Sequence, residues 1–334
     1  MQISRRSFLL AGIGLTACTL KKSQIMTING WIDTTEMGKT LIHEHFLVDF
    51  IGADKTNLNR WDKEQVIAKV LPHLAEVKAL GIRTVFDCTP SFLGKDVELL
   101  KLIAERSGLQ IVTNTGYYGA VNNKYLPQWA FTETAEQLAD RWIKEFKYGV
   151  DGTNVKPGFI KISVDGGKTL SALHQKLVKA AGITHLATGL TICSHTGPGN
   201  IAFEEIKILK SIGVSPSAFV WVHAQDENNK AEYTRAARMG TWVSLDGIGW
   251  GSFQTYADSI DLMKSNGVLN RLLISHDAGW YKPDEPNGGD FVGYTNIFKE
   301  LMPLLIQKGF TDADFEQILV KNPAEAFAVR VREN

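Results

Sequence analysis

Leu41-Ile42-His43-Glu44-His45 reads as a buried strand with imidazoles at i and i+2. Strand side chains alternate faces, so His43 and His45 point one way and Glu44 the other. Outward from this stretch, strands and helices alternate along the chain. Thr40–His45 is the first strand, and Asp62–Leu80 follows as a helix, with Val66, Val70, Leu74 and Val77 at helical spacing and Asp62 as cap with Gln65 three residues on. Gly81 stops it, and Ile82–Cys88 is strand two. Helix Val97–Ser107 leads to strand three, Leu109–Asn114. Helix Thr134–Phe146, opened by the Thr134…Gln137 pair, leads to strand four, Phe159–Ser163. Strands Leu190–His195, Phe219–Ala224, Trp242–Asp246 and Arg271–Asp277 follow, separated by helices over Ser171–Thr188, Phe203–Ser211, Ala231–Met239 and Tyr256–Lys264. Helices over Tyr294–Gln307 and Asp312–Val320 close the chain.

Several strands are near-continuous apolar runs, as parallel strands covered on both faces are. Eight strand–helix units in order predict an α/β fold, a distorted (β/α)8 TIM barrel forming a single domain over 25–334. An open doubly wound sheet would show a glycine-rich phosphate turn after its first strand, where this chain carries His43 and His45.

The 334 residues are 44% hydrophobic and 22% charged, within the ordinary globular range. Lys+Arg and Asp+Glu are both 36, with no basic stripe, which argues against nucleic acid as a partner and leaves a small-molecule substrate. Cys88 and Cys193 fall in buried strands and read as small core filler.

Residues 1–24 read as an export segment and tether. Arg5-Arg6 precedes a short apolar run, too short to span a membrane, and resembles a twin-arginine signal. Leu15-Thr16-Ala17-Cys18 resembles a lipobox, which would leave Cys18 lipidated; the alternative is a plain signal peptide. The expectation is an exported protein, periplasmic or anchored to a bacterial membrane only through a lipid on Cys18.

In a barrel of this type the C-terminal strand ends form the active face. Strand one ends with His43 and His45, strand four carries Lys161, strand five ends at His195, strand six at His223 and strand eight at Asp277. Half of the eight histidines gather there, with a lysine and an aspartate. Imidazole and carboxylate donors together suit zinc, and also manganese, cobalt or iron.

The set His43-Glu44-His45, Gly158-Phe159-Ile160-Lys161, Ser194-His195-Thr196, Val222-His223 and Ser275-His276-Asp277 resembles the phosphotriesterase family of the amidohydrolase superfamily. Gly81–Asp87 and Asn322-Pro323-Ala324 match as well, and the likeness covers about residues 27–330. The resemblance implies two divalent metal ions about 3.5–4 Å apart. His43, His45 and Asp277 would hold the more buried one, His195 and His223 the more exposed one. Lys161, carboxylated to a carbamate, would bridge both. The implied reaction is metal-dependent hydrolysis. Two cations lower the pKa of a bridging water, the hydroxide attacks, and Asp277 accepts the proton. Tyr118 resembles the tyrosine that lactonase-type members place beside the bridge. A homodimer is a further expectation from the resemblance.

Tyr117, Trp250, Phe253, Trp280 and Tyr281 sit in loops over the active face; of these Tyr117, Trp250 and Trp280 are the candidate pocket wall, with loop packing the alternative. Lys161 has a second reading as an unmodified lysine paired with Asp277. His73, His174, His185 and His276 read as structural or surface residues. Gly247 departs from the family, whose members often carry histidine or arginine there. The expected substrate is a carboxylic ester or lactone. A phosphotriester or amide is the alternative, and a non-catalytic exported binding lipoprotein the alternative of another class.

Overall fold

The computed structural model describes residues 23–334. The export-segment and Cys18 readings fall on residues that lie, but for the last two, outside that range. Among the described residues no helix is long and apolar enough to cross a membrane.

An antiparallel hairpin, β1 (Gln24–Thr27) and β2 (Gly30–Asp33), leads in. Then come β3 (Lys39–Leu47), β4 (Ile82–Asp87), β5 (Gln110–Val112), β6 (Asn114–Thr115), β7 (Phe159–Ser163), β8 (Thr191–His195), β9 (Phe219–Val222), β10 (Trp242–Leu245), β11 (Leu272–Ile274) and β12 (Gly279–Tyr281). All pairings among these strands are parallel, in the orders β12-β3-β4-β5 and β6-β7-β8-β9-β10-β11. β5 and β6 are one barrel strand interrupted at Thr113, and β11 and β12 are one interrupted over Ser275–Ala278. The cylinder closes there, where the Asp277 N–H donates to the His43 carbonyl at 2.9 Å and the His45 N–H to that of Ala278 at 2.9 Å. The eight-stranded barrel is the one expected, and these two breaks are its distortion.

The second break has a steric cause. Asp277 takes φ +49° and Gly279 φ +104°. A Cβ on Gly279 would lie 1.8 Å from the His45 carbonyl oxygen, so only glycine lets the two strands meet.

Helices flank the cylinder with the expected starts. Asp62 accepts from the Glu64 and Gln65 N–H groups ahead of Lys63–Ala79, and Thr134 and Gln137 form a capping box ahead of Ala135–Tyr148. The C-terminal helices differ from expectation. The first begins at Ile297, not Tyr294, and its Ile297 N–H donates to His276 Nε2 at 3.1 Å. Both contain a π turn, Ile297–Leu301 and Gln317–Lys321.

Phe86, Phe159 and Phe327 pack ring to ring within the core, at 4.4–5.9 Å between centroids. Cys88 and Cys193 are free and buried in the same cluster, as expected of filler, and burial pushes the Cys193 thiol up to about 12.

Candidate metal centre

Parallel strands all point their C-terminal ends the same way, so residues far apart in sequence arrive at one mouth. His43, His45, Lys161, His195, His223 and Asp277 line one cavity of about 130 Å³ there. His43 Nε2 lies 3.5 Å and His45 Nε2 3.0 Å from Asp277 Oδ1, and His223 Nε2 lies 3.7 Å from Asp277 Oδ2. Lys161 Nζ is 3.2 Å from His43 Nε2, and the His195 and His223 rings meet edge to face at 4.3 Å. Among the described residues His43, His223 and Asp277 form a group with ligand atoms all within 4.8 Å of one another.

The donor set fits divalent metal ions because the back of three of its four rings is already occupied. His43 Nδ1 meets Asp246 Oδ2 at 3.0 Å, and His223 Nδ1 meets Asp246 Oδ1 at 2.8 Å. His45 Nδ1 meets Thr89 Oγ1 at 2.8 Å, and the Thr89 hydroxyl donates to the Leu47 carbonyl, so it accepts from the ring. In these three rings Nδ1 thus carries the proton and Nε2 turns a lone pair into the cavity, as ligation requires. Burial, aided by Lys161, drives His43 down to about 4, and burial with His223 and Lys161 holds His195 well below the usual imidazole range. Burial also works against the charged form of His223, but the Asp246 carboxylate outweighs it and raises that ring. Asp246 is held well below the carboxylate range: burial opposes its charge, and His223 and His43 overcome it.

Lys161 is buried, and among the described residues it has no carboxylate partner, which removes the reading of a lysine paired with Asp277.

Two buried carboxylates grip the chain on either side of a candidate ligand. Glu44 Oε1 accepts from Ser275 Oγ (2.8 Å), the His276 N–H (3.1 Å) and His276 Nδ1 (2.7 Å), and Oε2 from the Ala278 N–H (3.1 Å). It straddles Asp277 and secures that residue's left-handed backbone. Glu205 accepts from Ser194 Oγ (2.5 Å) and Thr196 Oγ1 (2.6 Å), straddling His195.

Burial pushes the Glu205 carboxyl from 4.5 up to about 8. The folded protein then holds a proton that the unfolded chain releases, so this contribution is full below 4.5 and is lost as pH rises through about 8. Glu205→Gln has no such proton, and either hydroxyl can turn to accept from its amide. It is expected to flatten the fall in stability between about pH 5 and pH 8, measured by urea unfolding; equal falls in both proteins would contradict the assignment.

Of the expected pocket residues, Tyr118, Trp250 and Trp280 line the cavity, with the Tyr118 hydroxyl 3.2 Å from the His195 ring nitrogens. Tyr117 does not. It turns the other way, accepts from Trp129 Nε1 at 3.2 Å and packs edge-on against Phe92 and Trp142. Neighbouring residues on an extended segment face opposite sides, so one tyrosine reaching the centre sends the other away. Tyr281 and Phe253 are likewise outside the cavity lining. Val48, Phe50 and Leu93 complete the wall and were not singled out in the sequence.

Asp246 and Thr89 were not singled out either. A carboxylate at the end of the strand beside His223, where ligating histidines need a partner, was the available signal for Asp246. His276 is buried against Glu44, His174 Nε2 donates to the Gly119 carbonyl and to Asn123 Oδ1, His185 meets the Leu190 carbonyl, and His73 stacks on Phe291. All four are structural, as expected.

A model of the phosphotriesterase family matches residues 23–327. The chain is similar to a phosphotriesterase homology protein of Escherichia coli (strain K12), 29% identical over 297 residues that cover 87% of this chain and 98% of the relative. It is similar to an aryldialkylphosphatase of Saccharolobus solfataricus, 26% identical over 309 residues, covering 89% and 97%. It is also similar to an N-acetyltaurine hydrolase of Mus musculus, 24% identical over 349 residues, covering 90% and 97%.

Proposed function

The chain belongs to the phosphotriesterase family, and from that membership we propose that it hydrolyses a carboxylic ester or lactone at a centre built for two divalent cations, zinc first among them. The carrying observation is the meeting of four imidazoles, one lysine and one carboxylate in a single buried cavity. His43, His45 and Asp277 would hold one ion, His195 and His223 the other, and Lys161 both, after its neutral amine adds carbon dioxide and releases a proton. Bound there, divalent cations polarise a carbonyl oxygen and acidify water.

The chain's own groups do the rest. Asp277 is held ionised, since His43, His45 and His223 outweigh the burial that opposes its charge, and its carboxylate takes the proton from the attacking water. Burial keeps the Tyr118 phenol protonated above its usual range, so it is able to donate to a developing oxyanion. Phe50, Trp250 and Trp280 shield the centre from solvent.

One feature supports a carbonyl over a phosphoryl substrate. The 130 Å³ cavity is well under the roughly 300 Å³ at which small-molecule sites begin, which suits a flat carbonyl better than phosphorus with three substituents. The test is elemental analysis followed by a panel of lactones, esters, amides and phosphotriesters. About two metals per chain and ester or lactone turnover abolished by chelation are expected; turnover confined to phosphotriesters or amides would overturn the carbonyl-ester reading.

Gly247 limits what can be copied from relatives. A Cβ there would sit 2.8 Å from both Gln225 Nε2 and the Tyr256 hydroxyl. Gln225 in turn accepts from the Asp246 N–H at 3.2 Å. Gly247→His is therefore expected to destabilise the fold by about 1–3 kcal/mol through overpacking and to lower ester turnover. Urea unfolding and kcat/KM measure the two, and an unchanged midpoint would remove the steric argument.

A further inference from the structure

We infer that the substrate extends past Trp250 into a second, polar cavity and ends in a cationic group recognised by Asp226; this rests on the ester-hydrolase reading above. The second cavity, about 350 Å³, is lined by Gln225, Asp226, Lys230, Trp250, Thr255 and Tyr256 among others. Trp250 lines both cavities and is their shared wall. Its ring is edge-on to Trp280 at 5.0 Å, and its N–H donates to the Asp277 carbonyl at 3.2 Å. It is nevertheless 60% exposed and lies between Gly249, at φ +117°, and Gly251. A side chain tied to the centre by one edge leaves its other surfaces available to a ligand.

The short helical turn Ala224–Asp226 connects the two spaces. It starts at His223, whose carbonyl accepts from the Asp226 N–H at 3.1 Å. The 130 Å³ over the centre holds a compact acyl group, and the remainder of a larger ester must leave by an open side. On the Trp250 side it meets polar groups.

The charges there select the class. Lys230 Nζ donates to the Gln225 and Glu227 carbonyls and to the Tyr233 hydroxyl, which occupies its three hydrogens. The Glu227 carboxylate accepts from the Gly199 and Asn229 N–H groups. Asp226 is exposed, and its carboxylate has no hydrogen-bond or ion-pair partner among the described residues. A carboxylate and an indole lining one cavity are the pairing that recognises an ammonium group, by charge and by cation–π attraction together.

The probes are acetylcholine and 3,3-dimethylbutyl acetate, two esters that share an acyl group and a shape and differ in charge. The ratio of their kcat/KM values, cationic over neutral, is expected to fall about fivefold in Asp226→Asn. Because it is a ratio, a general loss of activity in the variant cancels. A second readout needs neither metal nor turnover. Choline titrated into metal-free protein is expected to change an indole signal that is absent in Trp250→Phe and weakened in Asp226→Asn. Equal ratios in wild type and Asp226→Asn, with no Trp250-dependent signal, would overturn the inference. If neither ester is turned over but choline still gives the Asp226-dependent signal, the cation site stands and the ester reading fails.

Discussion

Asp277→Asn is expected to lower ester or lactone hydrolysis by about 10²–10⁴-fold, the range for losing a positioned general base. Asparagine is the informative replacement. It keeps the size and tolerates the left-handed φ of +49° that this position demands, where most residues would strain. The Glu44 clamp on Ser275, His276 and Ala278 touches the neighbours rather than the Asp277 side chain, so the local backbone is expected to persist. What disappears is the negative charge that His43, His45 and His223 sustain against burial. Turnover measured beside metal content separates the two roles assigned to the carboxylate. Loss of turnover with metal retained isolates proton transfer, and loss of both adds ligation. A variant that binds metal and turns over like the wild type would end the assignment.

Asp246→Ala reaches further for a residue that faces away from the substrate. One buried carboxylate holds Nδ1 of His43 and of His223, accepts from the His223 N–H at 3.1 Å and from Ser244 Oγ at 2.7 Å. Those two rings are assigned to different ions, so a single substitution is expected to weaken both sites together. Losing the partner of one ligating histidine costs about 10–100-fold in metal affinity, and two such losses compound towards about 10²–10⁴-fold. Stability is expected to fall by about 3–5 kcal/mol, since the raised His223 loses the charge that favours its proton and several buried donors lose their acceptor. Chelator competition and urea unfolding measure the two effects. Unchanged affinity in a folded variant would show that the rings are oriented by something else.

The two variants also mark how much of the centre could be read before folding. Asp277 was legible because it closes an apolar run, and in a parallel barrel every such run ends at the same mouth. The same logic carried His195 and His223, and the two-residue period carried the pair His43 and His45. Helix starts at Asp62 and Thr134 were legible because a cap is satisfied within three residues of itself.

Asp246, Glu44 and the choice between Tyr117 and Tyr118 belong to tertiary structure. Asp246 meets His43 across 203 residues of chain, and Glu44 meets Ser275 and Ala278 across 231 and 234. No local pattern encodes such a partner; it exists only once the cylinder has closed. The tyrosines are adjacent, and which of them faces the centre depends on how the third barrel strand resumes after its break at Thr113. Shifting an extended segment by one residue exchanges its two faces, so only the closed barrel's register makes that choice. Periodicity, caps and strand ends are short-range properties, present in the chain itself. Ring orientation, proton placement and the left-handed backbone at Asp277 arise from contacts between segments that only the fold brings together.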